Sequence, residues 1–193
     1  LIIIDINTES SRVAAKGVYM SSYSISPDGN FFVWYDNSDK NWYSLDIIEE
    51  KIVKLTNGMT ISFADELHDS PSMASSYGTG GWIEGDKAVY IYDRYDIWKF
   101  DPKGERAPEN ITEGKGAAEK LTFRIIRPDR ELRDSEPLKE KSLLCFSAFD
   151  NKTKENGFYS KDISARKPLM KRWNMEPFTF ASVVMSKRGK EIV

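Results

Sequence analysis

The chain has 193 residues, of which 40% are hydrophobic and 30% are charged, and its formal net charge at pH 7 is -2. This composition supports a packed core, which excludes a globally disordered chain. The two signs of charge are interspersed, which excludes a nucleic-acid binder with a concentrated basic face. The apolar runs, such as Leu1 to Ile4 and Phe31 to Tyr35, are all far too short to span a membrane.

The dominant pattern is a tandem repeat of short apolar runs that end on an aromatic residue and Asp. Tyr35-Asp36, Tyr92-Asp93 and Phe149-Asp150 follow one another at intervals of 57 positions. Around each pair the sequence predicts four short strands separated by tight or charged turns, which is typical of a β-propeller blade. The sequence therefore predicts an all-β fold. We expect a partial β-propeller of tandem four-stranded antiparallel blades, three of them complete, with a partial blade at each end.

The first part of the chain predicts the end of one blade and the whole of the next. Residues 1–16 contain two strands whose pattern matches the third and fourth strands of the following unit. The first complete blade spans 17–57 and contains the turn Ser26-Pro27-Asp28-Gly29. In such a turn Pro presets φ at the second position, and Gly takes the conformation that closes the hairpin. Residues 58–80 are predicted to form a long loop between blades.

The later part of the chain predicts two further blades and the start of another. The blades span 81–112 and 121–171, the second interrupted by a charged insertion from Pro128 to Lys141, and the next blade starts at 178–193. No window shows sustained helical periodicity, so we expect at most one or two short helices, with one candidate turn at Ala117 to Lys120.

Known propellers close with about four to eight blades, so the three complete units and two partial ones are expected to form an open arc or to complete a ring with another copy. Because Leu1 to Asp5 reads as a strand already under way and Gly189 to Val193 stops inside an expected strand, we expect a fragment of a longer protein.

The cysteine and histidine counts limit the chemistry of the chain. Cys145 is the single cysteine, which excludes an internal disulfide, and its apolar surroundings predict a buried, inert thiol. One His and one Cys cannot make a zinc site. The sequence predicts no metal and no cofactor.

Several short strings resemble a known family. They are His68-Asp69-Ser70-Pro71-Ser72, Tyr77-Gly78, Gly81-Trp82 and Asp93-Arg94-Tyr95-Asp96-Ile97-Trp98. Together they look like the N-terminal propeller region of bacterial serine peptidases of the prolyl oligopeptidase family, in their dipeptidyl-peptidase-like or acylaminoacyl-peptidase-like forms. The turn Ser26-Pro27-Asp28-Gly29 fits the same group. The resemblance covers essentially the whole chain as blades.

The resemblance implies a parent protein in two parts. Its propeller would restrict the entry of peptides to an α/β-hydrolase domain, which would carry the catalytic triad C-terminal to this segment. The chain has no Gly-x-Ser-x-Gly elbow for a nucleophile, so no catalytic residue of the family is carried over. We therefore expect no enzyme activity from this chain. The implied partners are the hydrolase domain and peptide substrates, without nucleic acid or a membrane span. A bacterial periplasm is favoured over the cytoplasm.

Three residues are candidates for contact with a substrate: His68, Arg94 and Asp96. Arg94 could clamp a peptide terminus, because a guanidinium grips a carboxylate with two parallel bonds. The favoured alternative is an ion-paired turn that locks the blade. His68-Asp69-Ser70 places three triad residue types side by side, but triad members meet from separate elements, so a polar loop between blades is the favoured interpretation. Long loops on rigid scaffolds often carry function, so this one could line the pore or face the hydrolase domain.

Two other functions stay open at this point. One is a stand-alone propeller of the bacterial envelope that binds partner proteins. The other is a propeller glycosidase with paired carboxylates. Whatever the function, we expect the isolated segment to self-associate, because a terminal blade face and unpaired strand edges should be exposed.

Overall fold

The computed structural model describes residues 1–127 and 136–180. Most of the predicted insertion from Pro128 to Lys141, and all but three residues of the predicted blade start at 178–193, lie outside the described residues. Within the described ranges, no helix has both the length and the apolar character needed to cross a bilayer.

The described residues form one two-stranded sheet followed by three four-stranded sheets, all antiparallel. The small sheet pairs β1 (Ile2–Ile4) with β2 (Ser11–Val13). Sheet 1 contains β3 (Met20–Ile25), β4 (Phe31–Asp36), β5 (Asn41–Asp46) and β6 (Lys51–Lys54). Sheet 2 contains β7 (Thr79–Trp82), β8 (Val89–Tyr92), β9 (Ile97–Phe100) and β10 (Glu109–Asn110). Sheet 3 contains β11 (Leu121–Ile125), β12 (Leu143–Asp150), β13 (Asn156–Asp162) and β14 (Met170–Glu176).

Each four-stranded sheet is a meander in which strands pair in chain order. This arrangement confirms the predicted all-β partial propeller. The expectation of short helices is also confirmed, with α1 (Lys115–Glu119) and one 3-10 turn at Glu84–Asp86 in the described residues. Two element bounds differ from the prediction: β7 begins at Thr79, before the expected start at 81, and β14 continues to Glu176, past the expected end at 171. The early start follows from a bulge between Thr79 and Gly81 that lets the glycine-rich segment pair with β8.

An aspartate closes every hairpin between a second and a third strand. The three residues are Asp36, Asp93 and Asp150, which are the aspartates of the sequence repeat. In each, Oδ1 accepts a hydrogen bond from the backbone N–H two residues further on, at 2.9, 2.6 and 2.7 Å respectively. An Asp side chain at this position satisfies a turn donor that the ladder leaves unpaired. The repeat in the sequence is therefore a repeat of one turn structure.

The same device closes the hairpins that lead into each last strand. Here the carboxylates are those of Asp5, Asp46, Asp101 and Asp162. Oδ1 again accepts from the N–H two residues on, at 2.8, 3.0, 3.1 and 2.9 Å respectively. The β1–β2 hairpin thus has the turn chemistry of the final hairpin of a blade.

The core lies between the sheets and forms two clusters. Val89 and Ile91 of β8 belong to a first cluster shared with sheet 1, whereas Tyr90 and Tyr92 belong to a second cluster shared with sheet 3. The main partners are Phe31, Val33, Tyr35 and Trp42 in the first cluster and Leu121, Phe123, Leu144 and Phe146 in the second. Successive side chains of a strand point to opposite faces, so sheet 2 is covered on both sides.

A buried carboxylate also joins sheet 2 to sheet 1. Asp86 in the 3-10 turn accepts hydrogen bonds from the Ser26 hydroxyl at 2.6 Å, from the Asp28 backbone N–H at 3.1 Å and from the Asn30 side-chain amide at 3.1 Å. The Ser26 hydroxyl in turn accepts from the Phe31 N–H at 2.9 Å. Asp86 has a φ of +54°, which Asp and Asn tolerate better than most residues. This side chain fixes the turn of one blade against the turn of the next.

Replacing Asp86 should weaken the contact between the two sheets. Asp86→Asn keeps the shape of the side chain and the tolerated φ. The negative charge is lost, and the amide N–H₂ group faces hydrogen-bond donors that need an acceptor. We expect the free energy of unfolding to fall by about 2 kcal/mol, as is usual for a buried charge-assisted hydrogen-bond acceptor. Urea denaturation followed by tryptophan fluorescence measures it. The control is Asp28→Asn, whose exposed carboxylate lies in the Ser26–Gly29 turn that Asp86 binds. An equal loss of stability in both variants would contradict the role of Asp86.

Apolar side chains remain uncovered at the N-terminal side of the molecule. Ile2, Ile4 and Val13 share one face of the small sheet and are 61%, 63% and 57% exposed. Tyr23 and Ile25 on β3 are also exposed. Contiguous apolar patches of this kind mark association surfaces.

The predicted self-association can be tested on this patch. We expect the mean mass from light scattering to rise with concentration, and we expect Ile4→Glu to reduce that rise by placing a charge in the face. Ile48→Glu, which changes an exposed side chain in the β5–β6 turn, should leave the association as it is. A concentration-independent monomer would refute the expectation.

Candidate functional site

The first strands of the three sheets converge on one cavity, which we call the inner cavity. It has a volume of about 290 Å³ and is lined by Ser24 of β3, Thr79 of β7 and Arg124 of β11, among others. Propeller blades surround a central channel, and strands from successive blades that meet at one space lie on the channel side. The inner cavity thus lies where the inner strands of successive blades meet, on the side that faces the central channel of a closed propeller.

Glycines shape the wall of this cavity on β7. A Cβ at Gly80 would lie 2.9 Å from both the Tyr92 hydroxyl oxygen and the Ile125 Cδ1. Gly81 has a φ of +104°, and a Cβ there would lie 2.8 Å from the Arg127 Nη2. Only glycine fits both positions without displacing these neighbours. The close approach explains why a glycine-rich segment forms the inner strand of sheet 2.

Arg124 is the central charged group of the inner cavity. Its guanidinium carbon lies 4.6 Å from the ring centroid of Tyr92 and 5.6 Å from that of Tyr77. Nη1 donates to the Phe123 carbonyl at 2.6 Å, and Nη2 donates to the Asp93 carbonyl at 3.3 Å. Burial lowers the pKa of Arg124, and the nearby Tyr92 and Asp93 offset part of this effect. The ring stacking and the two hydrogen bonds hold the guanidinium in one orientation.

Two more ionisable groups stand at the cavity. Arg127 Nη2 donates to the backbone carbonyl of Glu136 at 2.8 Å, and the exposed Glu136 also lines the cavity. With Arg124, the described wall carries two guanidinium groups and one carboxylate. The inner cavity is thus polar and positive.

The sequence reasoning did not select Arg124 or Arg127. The available signal was a basic residue in the apolar run from Leu121 to Ile126, at the position that alternates with the buried Phe123. A charge inside a predicted inner strand indicates a channel-facing position, because such a residue is rarely buried in the core.

The predicted turn from Asp93 to Trp98 is held by the Asp93 carboxylate. Oδ1 accepts the N–H groups of Tyr95 and Asp96, each at 2.6 Å, and Oδ2 accepts the indole N–H of Trp98 at 2.8 Å. Asp93 therefore bonds to backbone and indole donors. The favoured ion-paired turn does not form between Arg94 and its flanking carboxylates in the described contacts.

Arg94 contacts the loop between the blades. Its Nη1 lies 3.9 Å from Glu66 Oε2, and its guanidinium stacks over Tyr95 at 5.0 Å from the centroid. The side chain is partly exposed. The position is compatible with the predicted contact to a substrate, which stays a prediction.

Asp96 is buried, with 1% of its surface exposed. Its Oδ1 accepts from the Thr112 hydroxyl at 2.5 Å and from the Gly116 N–H at 2.9 Å, and its Oδ2 accepts from the Ala117 N–H at 3.0 Å. All of these donors belong to the chain itself. The carboxylate of Asp96 thus anchors the first turn of α1. The predicted contact with a substrate stays a prediction, which would require this buried side chain to become accessible.

His68 lies in the long loop and contacts only that loop among the described residues. Its Nε2 is 2.8 Å from the Ser72 carbonyl oxygen and 3.0 Å from the Ser70 hydroxyl oxygen. The loop and the Asn37–Lys40 turn line a second cavity, which has a volume of about 580 Å³. No described contact joins His68 to Arg94 or Asp96, so the three predicted residues do not form one site.

Comparison with known proteins places the chain in no family. No protein-family model matches it, and no curated protein matches it. Among solved structures, TolB from Acinetobacter baumannii is similar over 99% of this chain and 41% of its own, with 15% identity and a TM-score of 0.48. Hydrazine synthase from Kuenenia stuttgartiensis is similar over 98% of this chain and 47% of its own, with 17% identity and a TM-score of 0.47.

A third solved structure, the calcium-binding protein regucalcin from Agrobacterium tumefaciens, is similar over 83% of this chain and 45% of its own. Its identity is 10% and its TM-score is 0.35. The chain spans less than half of the length of each of these three structures.

Asp93 and Asp150 are equivalent turn carboxylates with pKa values shifted in opposite directions, so their contributions to stability should change with pH in opposite directions. Burial is the largest influence on Asp93 and raises its pKa above the ordinary value, although its hydrogen bonds oppose the shift. Hydrogen bonds from the Thr153 and Lys152 N–H groups lower the pKa of the partly exposed Asp150. A carboxyl group whose pKa is raised on folding lowers the stability of the protein as pH rises through that pKa. A group whose pKa is lowered on folding lowers the stability as pH falls through that pKa.

The matched variants Asp93→Asn and Asp150→Asn test this difference. Relative to Asp93→Asn, the wild type should lose stability as pH rises from the ordinary carboxyl pKa through the raised pKa of Asp93. Relative to Asp150→Asn, it should lose stability as pH falls from the ordinary pKa through the lowered one. Urea denaturation across the acid range measures both differences; the same sign of slope for the two variants would contradict the assignment.

Proposed function

We propose that this chain is a non-catalytic propeller segment of a serine peptidase similar to the prolyl oligopeptidase family. In this proposal it gates or positions peptides for an α/β-hydrolase domain outside the chain. The observation that carries the proposal is the inner cavity, where strands of three blades meet and two arginine side chains, Arg124 of β11 and Arg127 just after it, line the wall. Such a wall selects by size and charge, because a cleft of one sign of charge concentrates ligands of the opposite sign.

The long loop supplies a second selective surface at one end of the sheets. Its base is anchored, since Phe63 and Ala64 are buried in the first cluster and Ala64 pairs with Ser76. The stretch from 67 to 73 includes His68 and exposes Leu67 and Met73. A rigid base with an exposed tip is the usual build of a loop that contacts ligands.

The proposal assigns the hydrolytic chemistry to another domain. His68 is the single histidine of the chain, and its described contacts are with Ser70 and Ser72 of its own loop. A general-base histidine in a serine hydrolase is oriented by a carboxylate and serves a nucleophile on a sharp turn. No carboxylate bonds to His68 among the described contacts, which supports a role in selection for this segment.

The loop tip offers a direct test in the full-length protein. Replacing residues 67–73 by a short Gly-Ser linker keeps Phe63, Ala64 and Ser76 in place. We expect kcat/KM for long peptides to rise several-fold relative to short ones, because part of the barrier to entry is removed. The measurement is a series of fluorogenic peptides of increasing length. The control replaces the turn at 47–50, at the opposite end of β5, by Asn-Gly and should leave the ratio unchanged.

The same protein tests the broader proposal. A fluorophosphonate probe should label a serine outside residues 1–193. A full-length protein that is not labelled and cleaves no peptide would refute the peptidase assignment. Tight binding of an intact envelope protein, without hydrolysis, would then support the stand-alone interaction propeller.

A further inference from the structure

The inner cavity contains a cation, Arg124, that has no counter-charge among the residues the structure describes. No carboxylate lies within 4.0 Å of the Arg124 guanidinium in the described residues. The nearest acidic residue in its surroundings, Asp93, offers Arg124 only its backbone carbonyl. The Asp93 carboxylate is occupied by Tyr95, Asp96 and Trp98. A partly buried charge without a partner is costly, so its retention needs a reason.

Lys161 is a second buried cation, and it has a counter-charge. Lys161 is 7% exposed, and its Nζ donates to Glu113 Oε1 at 2.7 Å and to the Ile111 carbonyl at 2.9 Å. The positive charge is thus neutralised within the chain. Arg124 is partly buried on the inner strand β11 and lines the inner cavity, where Glu136 is the one carboxylate among the described lining residues.

Arg124 also has unused hydrogen-bond donors. A guanidinium carries five N–H groups, and two of those of Arg124 donate to the carbonyls of Phe123 and Asp93. The other three have no acceptor among the described residues. Stacking on Tyr92 fixes the plane of the group before any ligand arrives. A preorganised guanidinium with unused donors is suited to a planar oxyanion, which it can bind through two parallel bonds.

We propose that the inner cavity binds a carboxylate of a peptide, with Arg124 as the residue that grips it. This inference rests on the proposed function for the nature of the ligand, because it names the substrate feature that the channel wall selects. The volume of about 290 Å³ accommodates a carboxylate with one adjoining residue, and Trp82 and Ile125 supply apolar wall for its side chain. The carboxylate can come from the C-terminus of a peptide or from an acidic side chain.

Peptide binding to this chain, measured by isothermal titration calorimetry, tests the inference. Three acetylated tripeptides serve as probes: one with a free C-terminal carboxylate, one with a C-terminal amide, and one amidated peptide with aspartate in the middle. We expect the free acid to bind at least about tenfold more tightly than the amide, as the loss of one charge-assisted pair predicts. Tight binding of the aspartate peptide as well would identify side-chain carboxylates as a second source. Equal affinity for all three peptides would overturn the inference.

Variants assign the effect to Arg124. Arg124→Gln should remove the preference for the free acid, and Arg124→Lys should keep part of it, because the charge stays and the fork is lost. Arg172→Gln removes the same charge from an exposed position on β14 and should keep the full preference. A preference that survives in Arg124→Gln would refute the role of Arg124. The comparison of free acid with amide on the wild type holds even where a variant folds poorly.

The two proposals fail in different experiments. Equal binding of free and amidated peptides removes the carboxylate site but leaves peptide gating in place. Absence of a labelled serine and of hydrolysis in the full-length protein removes the peptidase assignment, whatever this chain binds.

Discussion

The structure depends on one constraint: a four-stranded sheet with two apolar faces can be covered only by its neighbours. Sheet 2 meets this constraint through β8, where Val89 and Ile91 pack towards sheet 1 and Tyr90 and Tyr92 pack towards sheet 3. An apolar residue at every position is therefore required in this strand, in contrast to the alternation of a one-sided sheet. Tyr23 and Ile25 on β3, which no described sheet covers fully, stay exposed. The stability of each blade thus depends on its packing against the neighbouring blade.

The hairpin aspartates explain why the fold could be predicted from the sequence. An Asp that accepts the N–H two residues further on acts within its own turn, whatever packs around it. The device therefore appears at fixed places along the chain, and Asp36, Asp93 and Asp150 recur at a constant interval. Strand order followed from the same local signals, because each hairpin joins neighbours in the sheet.

The candidate site could be predicted only in part, because its chemistry depends on distant contacts. The sequence marks Asp96 as a turn carboxylate but does not show that Thr112 and Gly116 close over it. Asp86 likewise reads as a turn residue, although its main partner, Ser26, is 60 positions away. Burial decides the role of each carboxylate, and burial is set by which blades meet. The sequence therefore could not show that the Asp96 carboxylate is buried and bonded within the chain.

The polar character of the inner wall has a structural origin. The first strand of each sheet lies at a sheet edge, and an edge carries backbone groups that the ladder does not pair. Arg124 donates to one carbonyl of such a strand, that of Phe123 in β11, and to the carbonyl of Asp93 in the β8–β9 turn of the neighbouring sheet.

Ser24 on β3 has a related role, since its hydroxyl oxygen accepts the indole N–H of Trp82 at 2.9 Å and so ties the inner strands of sheets 1 and 2 together. Side chains that satisfy edges and join inner strands must be polar, and they must stand where the blades converge. The same requirement places a fixed guanidinium on the channel wall. Selection of ligands by charge can therefore arise from a residue that also satisfies the backbone groups at the edge of a blade.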